Sequence, residues 1–113
     1  MEVKNSRYYR DLEVWQLAIS FVKDIYLATE KFPSHENYGL THQIRKAVIS
    51  IPCNIAEGQF RDSIREFRQF LSIALGSAAE TETQLIISKE IGYLSSEQLK
   101  SLTNTLRKNY TNA

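Results

Sequence analysis

The feature that most limits what this chain can fold into is IREFRQFLSIALGSAAETETQLIIS, residues 64 to 88. Ile64, Phe67, Leu71, Ala74, Ala78, Thr81, Leu85 and Ser88 alternate at spacings of three and four without a break. A run of about four heptads on that period lines one face of an α-helix; a strand alternates every two residues and cannot follow it. Its middle, ALGSAAET, is small rather than bulky, so another backbone can approach closely there. A helix this long with an apolar seam has to bury it against other helices.

The remaining sequence supplies three. From Asp11 to about Lys31, Leu12, Trp15, Ile19, Val22, Tyr26 and Thr29 repeat at three and four, and Val14, Phe21, Ile25 and Ala28 widen the stripe. Asp11 is the expected N-cap. FPSHENYG, residues 32 to 39, breaks the pattern as a loop, with Gly39 free to take a positive φ. A second helix is expected from Leu40 to about Gln59, with Gly58 marking its exit. Ser63 with Glu66, and Ser95 with Gln98, have the spacing of capping boxes, and Gly92 stops the long helix between them. The fourth helix, about 96 to 110, presents Leu99, Leu102 and Leu106. The expected fold is all-α: an antiparallel up-down-up-down four-helix bundle forming one domain over residues 1–113.

One local rule is broken. SIPCNIAEG, residues 50 to 58, places Pro52 inside the second helix, where proline loses a backbone hydrogen bond at about 3 kcal/mol. We expect a kinked but continuous helix, in which Asn54 and Ser50 satisfy the polar groups that the bend exposes. Ile51 and Ile55 stay in the bundle, while Cys53, Ala56 or Glu57 turn toward a neighbour.

Composition narrows the function. The 113 residues are 42% hydrophobic and 24% charged, and every apolar run ends well short of the roughly 20 residues needed to cross a bilayer. MEVKNSRYYRDLEVW has no apolar signal-peptide core, and the lone Cys53 has no intramolecular partner, so a cytoplasmic location is expected. His35, His42 and Cys53 offer no zinc spacing, and the four glycines form no phosphate-binding loop. The expectation is therefore a non-enzymatic protein without metal, cofactor or small-molecule substrate.

What remains is surface. Arg61, Arg65 and Arg68 fall at i, i+4 and i+7, so they are expected on one face at the start of the third helix, where guanidinium groups bridge phosphates. Lys4, Arg7 and Arg10 interleave with Tyr8 and Tyr9, rings on which unpaired bases stack. Net charge is only +1, so any nucleic-acid binding rests on this arrangement and not on excess charge; Asp62 and Glu66 stand close enough to neutralise it. Arg45 is the expected partner of Glu57 and Glu80 in a structural ion pair, since both carboxylates lie in apolar stretches. Ile49, Cys53, Ala56, Phe60, Phe70, Leu75, Ala79 and Ile86 lie off the main stripes and suggest a second apolar face for a partner.

LEVWQLA at 12 to 18, IYLATEKFP at 25 to 33, YGLTHQIRKAVISIPCNIAEG at 38 to 58 and FRQFLSIALGSAAETETQL at 67 to 85 together resemble a known family. These are the small bacterial four-helix-bundle proteins first noted as reading frames in intervening sequences of 23S rRNA genes. Lys46 stands where a second arginine is common, and Cys53 where a small residue is usual. The resemblance implies a closed homopentameric ring without enzymatic activity, and the chain is also similar to the accessory protein of diversity-generating retroelements. That protein binds nucleic acid and a reverse transcriptase through basic surface. The resemblance thus makes RNA or DNA binding by Arg7, Arg10, Lys46, Arg61, Arg65 and Arg68 the leading expectation. The alternative is a scaffold that docks an acidic or polymerase partner. Cys53, Ala56, Phe60 and Phe70 are the expected oligomer contacts.

Overall fold

Four helices account for the apolar periodicities: α1 (Glu13–Thr29), α2 (Leu40–Phe60), α3 (Ile64–Glu90) and α4 (Ser96–Thr111). The structure is a computed structural model and describes residues 8–111, so Lys4 and Arg7 lie outside the described residues. No strand occurs among the described residues.

The capping chemistry sets most helix ends. The Ser63 hydroxyl accepts the Glu66 N–H at 3.0 Å. Ser95 and Gln98 form a full reciprocal box, Gln98 N–H to Ser95 Oγ at 3.0 Å and Ser95 N–H to Gln98 Oε1 at 2.8 Å. Helix α3 stops in a Schellman motif: Gly92 has φ +91°, its N–H reaches the Lys89 carbonyl, and the Tyr93 N–H reaches Ser88 at 2.8 Å.

Three boundary expectations need correction. Asp11 does not cap α1: it closes a short 3-10 turn, Tyr9–Asp11, and Leu12 holds the cap position without a side-chain bond. Gly58 does not end α2, which runs on to Phe60; it lies buried against Phe67 and Phe70 of α3. Gly39 has φ −116°, not a positive φ, and a Cβ there would meet Glu36 Oε1 at 2.7 Å, so a side chain would displace that carboxylate. That carboxylate accepts the Leu40 N–H at 2.9 Å and so caps α2.

Pro52 sits buried within an unbroken α2. Asn54 and Ser50 do not turn to the Val48 carbonyl that proline leaves unbonded, contrary to expectation. Asn54 Nδ2 donates to both the carbonyl and the hydroxyl of Ser50 at 2.8 Å, and Ser50 Oγ lies 2.8 Å from Ser77 Oγ on α3. The polar groups beside the proline therefore tie two helices together.

Each helix touches the next in sequence, and α4 closes back on α1. The most extensive contact joins α2 and α3, which run antiparallel: Gly58 faces Phe67 and Phe70, and Ser50 faces Ser77. Phe21, Ile25, Ile44, Val48, Ile55, Leu85 and Leu106 are fully buried between the four. Thr29, Thr81 and Ser88 share this core because each hydroxyl donates to the carbonyl four residues back at 2.8 Å.

The expected stripe on α1 is rotated. Ala18, Phe21, Ile25 and Thr29 are buried, whereas Ile19 and Tyr26 remain 43% and 38% exposed. On α3, burial holds from Ala74 to Ser88, weakens at Phe67 and Leu71, and fails at Ile64, which is 72% exposed. The cause is length, since α3 at 27 residues is about 40 Å long and α4 at 16 is about 24 Å. Among the described residues, the start of α3 extends past α4. No helix is long and apolar enough to cross a membrane among the described residues.

Candidate nucleic-acid interface

At the start of α3 the cap at Ser63 decides where each arginine stands. Arg65 and Arg68 lie on the first turns of α3 and are exposed. Arg61 precedes the cap, in extended backbone that ends α2, so it does not share their helical face as expected. Its Nη2 donates to Glu57 at 2.9 Å, and its guanidinium covers the Phe70 ring at 5.0 Å. Neither Arg65 nor Arg68 forms an ion pair or hydrogen bond among the described residues, so neither is paired with Asp62 or Glu66.

The 3-10 turn packs against α2 beside this end. Tyr9 stacks against Tyr8 and edge-on to Trp15, with centroids 5.8 and 5.4 Å apart. Arg10 is exposed and donates to the Tyr8 hydroxyl at 3.3 Å. Tyr9, Ala56, Phe60, Glu57, Arg61, Asp62 and Glu66 line an open cleft between turn and hairpin. Glu57 is paired with Arg61 there, and Asp62 and Glu66 leave the cleft with an excess of negative charge, so the exposed Arg65 and Arg68 are the surface better suited to a polyanion. Lys46 is not part of this cluster: it is exposed near the opposite end of α2, roughly 20 Å from Phe60 along the helix axis.

The proposed structural ion pair does not form. Arg45 turns toward α1, where Nε donates to Thr29 Oγ1 at 2.9 Å and Nη2 to the Tyr26 carbonyl at 3.3 Å, with the guanidinium 4.4 Å from the Tyr26 ring centroid. Glu57 instead pairs with Arg61, four residues on, and Glu80 accepts from Gln84 at 3.4 Å. Both carboxylates are exposed on their helices and need no buried partner. The sequence signal for Arg45's true partner was Thr29, a hydroxyl at a core position of α1.

Ile49, Cys53, Ala56 and Phe60 follow spacings of four, three and four along one face of α2, and Phe60 is 79% exposed. Phe70 stands apart from them. It packs within the chain, against Gly58 and under Arg61. Missed altogether was Glu36, which joins the Leu40 cap to the Tyr93 hydroxyl at 2.8 Å. Those two donors hold its carboxyl below the ordinary value of 4.5, and the carboxylate in turn raises the Tyr93 hydroxyl above 10.0. No group of three or more His, Cys, Asp or Glu side chains is placed to hold a metal among the described residues.

Fold and surface together define a small all-α four-helix protein with exposed arginines at one end and an apolar stripe on α2. Residues 10–110 match the family described as 23S rRNA-intervening sequence protein, and the chain belongs to that family. It is similar to the crystal structure of a protein of unknown function from the S23 ribosomal protein family of Bacteroides thetaiotaomicron. The two are 26% identical with a TM-score of 0.78, over 87% of this chain and 92% of that one. No curated protein matches the chain.

Proposed function

We propose that the protein is a non-enzymatic, homopentameric nucleic-acid-binding module that acts in the cytoplasm. The observation that carries this reading is the pair Arg65 and Arg68, exposed, without an ion pair or hydrogen bond among the described residues, and carried on the start of α3, which outruns α4. Cations without an ion-pair partner are available to phosphates, and a ring of subunits repeats the pair so that weak contacts add as avidity. Arg10 with Tyr8 and Tyr9 extends the surface toward unpaired bases. Subunits meet through Ile49, Cys53, Ala56 and Phe60, and the bend imposed by Pro52 aims that stripe at the neighbour.

The test is the salt dependence of binding to structured RNA and to DNA. Arg65→Glu with Arg68→Glu should weaken binding and lower the slope of log affinity against log salt by about 1.5 per subunit engaged. Affinity indifferent to salt, or to this double substitution, overturns the reading.

A second reading has its own observation: Phe60 and Ile64, 79% and 72% exposed, flank the arginines. Apolar side chains beside guanidinium groups suit a protein hot spot, such as an acidic face of a polymerase or reverse transcriptase. Loss of a protein partner, with RNA binding unchanged, on Phe60→Ser plus Ile64→Ser would favour it.

A further inference from the structure

We draw no further inference here: the strongest candidate, the exposed apolar patch of Leu75, Ala79 and Ile86 on α3, carries nothing because nothing in the structure shows what covers it.

Discussion

Gly58 and Gly76 show how much a single residue's surroundings decide. A Cβ on Gly58 would meet Phe70 Cβ at 2.7 Å and the Phe67 carbonyl at 3.3 Å, backbone and stem atoms that cannot swing away, whereas one on Gly76 would meet nothing within 4 Å. Gly58→Ala should therefore destabilise the fold by about 1–3 kcal/mol through overpacking. Gly76→Ala should stabilise it by up to about 1 kcal/mol through helix propensity. Urea denaturation midpoints read both signs. Glu36 sets a pH dependence: its folded pKa is depressed by the Leu40 N–H and the Tyr93 hydroxyl, so its contribution is present above the unfolded value of 4.5 and is lost as pH falls through the lower folded value. Tyr93 works in the opposite sense, its contribution present below 10.0 and lost as pH rises through the higher folded value. Glu36→Gln should flatten the acid limb of stability against pH. The sequence showed the glycines but not their roles, because two of the same residue in helices read alike until a neighbouring helix is placed.

At the scale of elements, what can be read locally was legible. Ser63, Gly92 and Ser95 each act within a few residues of chain, and all three place helix ends where expected. Gly92→Ala forces a Cβ into left-handed backbone and should cost about 1 kcal/mol; Ser95→Ala should cost about the same through loss of its cap. Hydrogen exchange at the α3–α4 junction would locate the loss in each. Asp11 misled because a 3-10 turn claims it before α1 begins. The face of α1 was misjudged for a different reason, since its wide stripe left two rotations open and only contact with α2 and α4 selects Ala18, Phe21 and Ile25. Arg45 was assigned to carboxylates because charge is visible in sequence, whereas the hydroxyl, the carbonyl and the ring that hold it are brought up by α1.

For the whole molecule the expected quantities are mass and salt response. Light scattering should give five times the chain mass at micromolar concentration, and Phe60→Glu with Cys53→Arg should reduce it toward one chain by placing charge on the α2 stripe. A monomer mass for the unmodified protein would remove both the ring and the avidity that depends on it.

The sequence by itself determined an all-α fold of four helices, the position of most caps, and family membership, because each of these is written in spacings along one chain. Tertiary structure alone decided that α3 outruns α4, that Arg61 is engaged while Arg65 and Arg68 are not, and that Arg45 turns toward α1. Such facts arise from residues distant in sequence meeting across helices, and they depend on relative helix lengths and rotations that no local pattern encodes.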